Sequence, residues 1–177
     1  MRILMAVTGC IAGYKAVDVA SALKKNDYEV HAMMTEASKF YCPIDALKVQ
    51  ANVFWEFDPA KPQHIYATEE IDVFAVVPAT SNTIAKIATG LADNLVTVSA
   101  LALKDETRRI IFPAMNTRMF HNAATQANLN ILRERDWTVI CPAVGQLACG
   151  AEGEGKLPST RDIVKEILKL HGLAFKI

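Results

Sequence analysis

The sequence lacks an excess of charge of either sign. Its 177 residues contain 19 Lys and Arg and 19 Asp and Glu, so the formal net charge at pH 7 is zero. No run of basic residues occurs, whereas a protein that binds nucleic acid needs a basic patch to neutralise phosphates. We therefore expect no nucleic-acid partner. The hydrophobic fraction of 51% favours instead a single globular domain with a sizeable core, spanning residues 1–177.

Long apolar segments and paired cysteines are also missing. No charge-poor stretch reaches the roughly 20 residues that cross a bilayer, and Met1 leads into a short apolar strand without a cleavage-like region. The four cysteines, Cys10, Cys42, Cys141 and Cys149, lie far apart and form no CxxC pair. Neither a zinc site nor a disulfide framework is indicated. We expect a cytoplasmic protein with no membrane contact and no bound metal.

What the sequence does contain is a repeated alternation of short apolar strands and amphipathic helices. This alternation predicts an α/β fold, a three-layer α/β/α doubly wound parallel sheet of the Rossmann or flavodoxin type. Open sheets of this kind bind their ligands at the carboxyl ends of the strands. Polar residues that directly follow a predicted strand are therefore the candidate site residues.

The stretch from Ile71 to Asn94 contains the clearest strand end. Asp72 to Val77 predicts a strand buried on both faces, which Pro78 is expected to end, and a helix follows. The residues between strand and helix are Thr80, Ser81, Asn82 and Thr83. Free backbone N–H groups and the helix dipole at such a turn suit a phosphate. Because the same residue types are ordinary helix caps, an anion site and plain capping both remain open.

The residues that follow the first two predicted strands give weaker evidence for a ligand site. The first strand is followed by Gly9, Cys10 and Ile11, but the glycines are not spaced as GxGxxG. No acidic residue closes the second strand, from Glu29 to Met34, where a ribose hydroxyl would need one. A dinucleotide cofactor is therefore disfavoured, and Gly9 is compatible with a tight turn alone. Thr35, after the second strand, is either a ligand contact or an N-cap.

Two further polar positions have a structural and a functional interpretation. His64 follows a loop predicted from Asn52 to Gln63, in which a weak strand near Val53 is the alternative, and it heads a short predicted helix. A lone histidine is either a structural residue or a functional one. Asn116 follows the strand that ends at Pro113. Its amide suits the orientation of a carboxylate, and a helix cap is the competing interpretation.

Half of the eight glycines lie between residues 145 and 157. This density predicts a segment that is neither helix nor strand and that moves as a lid over the ligand edge. Cys149 lies within it, and an accessible thiol on a mobile loop is a better candidate for chemistry than a buried one. The alternative is a flexible surface loop with an incidental cysteine.

Five motifs, in order along nearly the whole chain, resemble the flavin-dependent cysteine decarboxylases. They are TGCIAGYK from Thr8, His64-Ile65, PATSNTIAKIATGLADNL from Pro78, PAMNTRMF from Pro113 and LACGAEGEGKL from Leu147. The resemblance implies that the chain binds FMN non-covalently. The contacts that it implies come from Gly9, Cys10, Ile11 and Thr35, with Thr80, Ser81, Asn82 and Thr83 holding the phosphate.

The resemblance also implies catalytic roles. His64 would be the base, Asn116 would bind the substrate carboxylate together with Met115 at the substrate site, and Cys149 would donate a proton from the lid. Position 10 is commonly serine in the family. Cys10 keeps the size of that residue but weakens a hydrogen bond.

The implied reaction is the decarboxylation of 4'-phospho-N-pantothenoylcysteine to 4'-phosphopantetheine in coenzyme A biosynthesis, a carboxy-lyase activity. FMN would take a hydride from the carbon that bears sulfur, so that a thioaldehyde accepts the electrons as carbon dioxide leaves; the hydride and a proton would then be returned.

Members of this family assemble as homotrimers or as larger multiples such as homododecamers. Two other activities within it remain alternatives. One is the oxidative decarboxylation of a peptide's C-terminal cysteine, by relatives that generally lack the LACG lid. The other is a non-catalytic flavin-binding regulatory role, in proteins that usually have acidic tails.

Overall fold

The computed structural model describes residues 1–54, 61–170 and 172. Six strands form the main sheet: β1 (Arg2–Val7), β2 (Glu29–Met34), β3 (Asn52–Phe54), β4 (Val73–Ala79), β5 (Arg108–Pro113) and β6 (Trp137–Val139). Two more strands, β7 (Ala143–Gln146) and β8 (Glu152–Lys156), form a separate antiparallel pair. The strand considered near Val53 is present as β3 at the start of the predicted loop from Asn52 to Gln63, and residues 55–60 of that loop lie outside the described residues.

Eight helices accompany these strands within the described part of the chain. They are α1 (Lys15–Lys25), α2 (Ile44–Gln50), α3 (Gln63–Thr68), α4 (Ser81–Thr89), α5 (Leu95–Leu101), α6 (Thr117–Phe120), α7 (Ala123–Glu134) and α8 (Thr160–Lys169). Short 3-10 turns at Ile11–Tyr14 and Glu36–Phe40 follow β1 and β2.

The main sheet has the order β3-β2-β1-β4-β5-β6, and all its neighbouring strands are parallel. This is the order of doubly wound Rossmann-type sheets, so the predicted fold class is confirmed. The chain winds outward from β1 in one direction and from β4 in the other. The ends of β1 and β4 therefore flank the topological switch point, where such sheets form their ligand crevice.

The helices bury the two faces of the sheet separately. One core cluster joins the side chains of Ile3 and Met5 in β1 to buried residues of α1, α2 and α8. The other joins Leu4 and Ala6 of the same strand to residues of α3, α4, α5 and α7. Because alternate residues point to opposite faces, the central strands β1, β2, β4 and β5 each contribute to both clusters. Burial of a large apolar side chain stabilises the fold by about 1.5–3 kcal/mol.

The central strand is longer than the sequence predicts. β4 continues through Pro78 to Ala79, whereas Pro78 was expected to end it. Its pairing with β5 shifts register between Val76 and Ala79. A proline has no N–H to donate, and a register shift of this kind accommodates that loss within a sheet. The ligand turn consequently begins at Thr80.

The glycine-rich segment contains strand residues, so the expectation that it is neither helix nor strand is wrong. It contains most of the β7–β8 hairpin, which comprises Ala143–Lys156 with Cys149 in its turn. A Cβ atom on Gly155 would overlap the carbonyl oxygen of Met115, and one on Gly153 would overlap the side chain of Thr117. The N–H of Met115 donates to the carbonyl of Gly155 at 3.0 Å. These glycines permit close backbone approach, and they dock the hairpin on the loop that follows β5.

Gly155 and Gly90 provide a matched test of this docking. Both have positive φ, 142° and 74°, but a Cβ atom on Gly90 has no neighbour within 4 Å. Gly90→Ala should therefore cost only the backbone strain, about 1 kcal/mol. Gly155→Ala should cost ~1–3 kcal/mol more because of the overlap with Met115 and because a φ of 142° lies outside the left-handed region that alanine can occupy, and it should expose the hairpin to protease. Urea unfolding and limited proteolysis measure both effects; equal losses of stability in the two variants would contradict the docking.

Candidate functional site

A buried hydroxyl joins the two strand ends at the switch point. Thr8, which is fully buried, donates to the carbonyl of Pro78 at 2.7 Å and accepts from the N–H of Thr80 at 3.0 Å. The turn that starts at Gly9 and the start of α4 are thereby held side by side. Two of the predicted cofactor segments consequently share one edge of the sheet.

The turn after β1 is packed against the turn after β2. A Cβ atom on Gly9 would lie 2.5 Å from the Cβ of Ala37, so only glycine fits there. Thr35 begins the second turn, but its side chain does not cap it. The Thr35 hydroxyl oxygen is buried and has no hydrogen-bond partner among the described residues. A cap is therefore not its role, and a buried unpaired hydroxyl at a ligand edge is suited to contact a bound molecule.

The start of α4 combines capping with free donors. The Thr80 hydroxyl accepts from the N–H of Thr83 at 3.3 Å, and Ser81 pairs with the hydroxyl of Thr125 at 3.2 Å. The N–H groups of Ser81 and Asn82 have no acceptor within the part of the chain that the structure describes. Thr80 therefore acts as the cap, while two backbone donors at the positive end of the helix dipole remain for an anion.

A cleft of about 660 Å³ lies beside this edge. Its walls come from the turn after β1, the loop after β5 and the β7–β8 hairpin. The lining residues are Cys10, Ile11, Ala12, Tyr14, Lys15, Ala114, Met115, Asn116, Gln146, Leu147, Ala148, Cys149, Gly155, Lys156 and Leu157. The structure therefore brings together five predicted site residues from three distant segments: Cys10, Ile11, Met115, Asn116 and Cys149.

Asn116 both caps a helix and contacts the hairpin. Its Oδ1 accepts from the N–H of Arg118 at 2.9 Å, which caps α6, and its Nδ2 donates to the Sγ of Cys149 at 3.3 Å. The cap fixes the orientation of the amide, so that its NH₂ group points towards the thiol. The two interpretations of Asn116 are thus compatible, because the cap uses the oxygen and leaves a donor for a ligand.

The thiol of Cys10 is held in its neutral form. Its Sγ lies 3.6 Å from the carbonyl oxygen of Ala114, to which it donates, and burial raises the pKa of the thiol. Burial also raises the pKa of Cys42 to about 11. Neither thiol is a good source of thiolate. Cys149 is exposed at the hairpin turn and is the accessible thiol of the cleft.

Other predicted residues lie outside this cleft. His64, on α3, is half-buried, and its Nδ1 is buried without a hydrogen-bond partner among the described residues. The cleft is also not lined by the other predicted cofactor and catalytic positions, which are Gly9, Thr35, His64 and the start of α4. Lys15 and Lys156 do line it, although neither was predicted as a site residue. Both lie within the quoted motifs. The sequence does not show, however, that the start of α1 and the β7–β8 hairpin line the same cavity.

Neither a metal site nor a membrane-spanning helix is found within residues 1–54, 61–170 and 172. No group of three or more His, Cys, Asp or Glu side chains is arranged to hold a metal ion. No helix in these ranges has both the length and the apolar character needed to span a bilayer.

Sequence comparison finds close relatives over almost the whole chain. The family model described as Flavoprotein matches residues 1–172. A probable phosphopantothenoylcysteine decarboxylase of Streptococcus mutans is 41% identical over 172 residues, which cover 94% of this chain and 96% of the relative. The coenzyme A biosynthesis bifunctional protein CoaBC of Bacillus subtilis is 37% identical over 170 residues, or 93% of this chain. The match spans only 41% of the length of that bifunctional protein.

Solved structures with similar folds include decarboxylases and an FMN-binding protein. A cysteine-to-serine mutant of PPC decarboxylase, complexed with pantothenoylaminoethenethiol, has a TM-score of 0.90 at 28% identity, covering 97% of this chain and 98% of that one. The FMN-binding protein AtHal3 has a TM-score of 0.85 at 29% identity, with 98% of both chains covered. Peptidyl-cysteine decarboxylase EpiD has a TM-score of 0.77 at 28% identity, with 94% and 98% covered. From its sequence and its fold, the chain belongs to the Flavoprotein family.

Proposed function

We propose that the protein is an FMN-dependent phosphopantothenoylcysteine decarboxylase. It converts 4'-phospho-N-pantothenoylcysteine to 4'-phosphopantetheine and carbon dioxide, a cytoplasmic step of coenzyme A biosynthesis. The observation that carries the proposal is the contact between Asn116 and Cys149, in which an amide suited to a carboxylate lies 3.3 Å from an accessible thiol. The relative of this name that is 41% identical and matched over 96% of its length supports the same activity.

The residues at the sheet edge fit a mononucleotide flavin. The free N–H groups of Ser81 and Asn82 suit one phosphate, and Thr35 offers a buried hydroxyl without a partner. The close packing of Gly9 on Ala37 leaves the backbone of the first turn, with Cys10 and Ile11, open to the ring system. When bound, FMN supplies a two-electron acceptor that takes a hydride from the substrate and later returns it.

Asn116 orients the substrate for loss of carbon dioxide. Its Oδ1 is occupied by the N–H of Arg118, so the amide presents its two N–H groups to the cleft. One reaches Cys149, and the other is available to the substrate carboxylate, with Met115 packed beside it. A carboxylate held in one orientation can align its bond to carbon with the electron acceptor that oxidation creates.

Cys149 then acts as the proton donor. After carbon dioxide leaves, the substrate is an enethiol, which needs a proton on carbon as the hydride returns. Cys149 lines the cleft beside Leu147 and Ala148, and its exposed position at the hairpin turn makes the thiol accessible to a bound substrate. The contact with Asn116 positions the thiol next to the group that binds the substrate.

His64 is proposed to complete the site of a neighbouring copy. It does not line the cleft of its own chain, and it precedes Ile65 and Tyr66, whose side chains are 41% and 67% exposed. Exposed apolar residues next to an unpaired imidazole nitrogen suit a subunit contact. We propose a homotrimer, or a homododecamer built from trimers, in which His64 of one copy is the base for a substrate bound by another.

The product formed from 4'-phospho-N-pantothenoylcysteine tests the function and the role of Cys149 together. The holoenzyme should release carbon dioxide and 4'-phosphopantetheine. Cys149→Ser should keep its flavin and release carbon dioxide, but it should accumulate the enethiol, two hydrogens lighter, because serine is a much weaker acid. Mass spectrometry distinguishes the two products.

Cys141→Ser removes another exposed thiol outside the cleft and serves as the control, which should behave as wild type. The proposal fails if wild-type enzyme forms no phosphopantetheine, and the role of Cys149 fails if Cys149→Ser forms it normally. A lighter product from wild-type enzyme acting on a peptide's C-terminal cysteine would instead favour oxidative decarboxylation.

Complementation tests the role of His64. His64→Asn should retain flavin and lose turnover. Co-expression with Cys149→Ser should restore phosphopantetheine formation to about a quarter of the wild-type rate. In randomly assembled oligomers, about a quarter of the intersubunit sites combine an intact His64 from one copy with an intact Cys149 from another. Restoration requires that the two residues come from different copies. If the mixed oligomers form but stay inactive, the intersubunit site is refuted.

A further inference from the structure

Two positively charged side chains line the cleft without a part in the chemistry described above. They are Lys15, the first residue of α1, and Lys156, the last residue of β8. The described lining residues include no carboxylate. Neither ammonium group has an ion-pair partner among the described residues. Two cations without a counter-ion favour a ligand with more than one negative charge.

The side chain of Lys156 extends towards the turn of the β7–β8 hairpin. Lys156 pairs with Ala143, but its side chain extends back along β7. Its Cδ and Nζ atoms lie 3.2 and 3.3 Å from the place where a Cβ atom of Gly145 would be. Because Gly145 has no side chain, the lysine can occupy this space. The ammonium group thus lies nearer to the turn than the backbone of Lys156 does.

Lys156 and Cys149 belong to the same hydrogen-bonded unit. The hairpin is closed by the pairing of β7 with β8, and its turn by the N–H of Leu147, which donates to the carbonyl of Ala151 at 2.8 Å. From Gly145 to Cys149 the chain spans at most ~13 Å at the rise of an extended strand. A ligand that holds Lys156 therefore also restrains the thiol.

We propose that Lys156, assisted by Lys15, binds the phosphate of the substrate and thereby seats the hairpin so that Cys149 reaches the reacting carbon. The inference rests on the proposed function, in which the substrate has a cysteine at one end and a phosphate monoester at the other. Lys156 is a positioning residue and takes no part in proton transfer. Its phosphate contact should govern the choice between phosphopantetheine and enethiol as well as the affinity for substrate.

The experiment compares 4'-phospho-N-pantothenoylcysteine with the same molecule without phosphate. The wild-type holoenzyme should prefer the phosphorylated substrate by about 10–100-fold in kcat/KM, the range expected for one or two charge-assisted hydrogen bonds. The substrate without phosphate should also yield a larger fraction of enethiol, because the hairpin is then seated less firmly.

Three variants separate charge from packing. Lys156→Met keeps the aliphatic side chain along Gly145 but removes the charge, and it should lose most of the preference and release more enethiol from the phosphorylated substrate. Lys156→Arg should keep both properties. Lys165→Met removes an equal charge from an exposed position on α8 and should match wild type.

The outcomes distinguish this inference from the proposed function. If wild-type enzyme decarboxylates neither substrate, both fail. If it forms phosphopantetheine but Lys156→Met keeps the full preference and product ratio, only the inference about Lys156 fails.

A measurement on wild-type enzyme tests the inference even if the Lys156 variants do not fold. 4'-Phosphopantetheine should inhibit at least about ten-fold more strongly than pantetheine, with a difference that shrinks as salt is added; equal inhibition overturns the inference.

Discussion

The buried hydroxyl of Thr8 is the contact on which the arrangement of the ligand edge depends. It lies where the winding of the sheet reverses, and it satisfies the carbonyl of Pro78 and the N–H of Thr80 at once. Leaving either group unpaired in the interior costs about 1–3 kcal/mol. Because Thr80 is also the cap of α4, the same hydroxyl sets the direction in which the first free N–H groups of that helix point. The turn at Gly9 and the turn at Thr80 can therefore act on one molecule.

Two glycines allow the other segments of the candidate site to pack closely against this edge. Gly9 allows the turn after β1 to lie on Ala37, and Gly155 allows the hairpin to lie on the carbonyl of Met115. The two contacts have different consequences. The first shapes a surface suited to a flavin, in line with the Flavoprotein family to which the chain belongs. The second places Cys149 within hydrogen-bond reach of Asn116, which is the arrangement that the proposed decarboxylation with return of the hydride requires.

The sequence predicted the strands and helices of the sheet well, because their signals are local. An apolar run buried on both faces and an amphipathic helix can be recognised within a dozen residues. The alternatives at Thr80 and Asn116 were harder, since one side chain can cap a helix while the backbone or amide beside it remains free. Both positions turn out to combine a cap with free donors.

The parts that the sequence did not predict depend on distant contacts. The glycines of the hairpin predicted a segment without strands, but Gly153 and Gly155 belong to β8 and lie against Thr117 and Met115, more than thirty residues earlier in the chain. In the same way, no local pattern shows that Lys156 shares a cleft with Lys15, or that His64 lies outside it. A close approach between distant segments can be seen only in the coordinates, whereas the absence of GxGxxG, which disfavoured a dinucleotide cofactor, could be recognised in the sequence.

The central claim is that the cysteine is decarboxylated with no net oxidation. It is tested most directly by counting turnovers of the holoenzyme under argon, with substrate in large excess over bound flavin and no added oxidant. If the flavin returns the hydride in every turnover, phosphopantetheine should form in many-fold excess over flavin, and the spectrum of oxidised flavin should be recovered at the end. Product that stops at one equivalent, with the flavin left reduced, would contradict that claim.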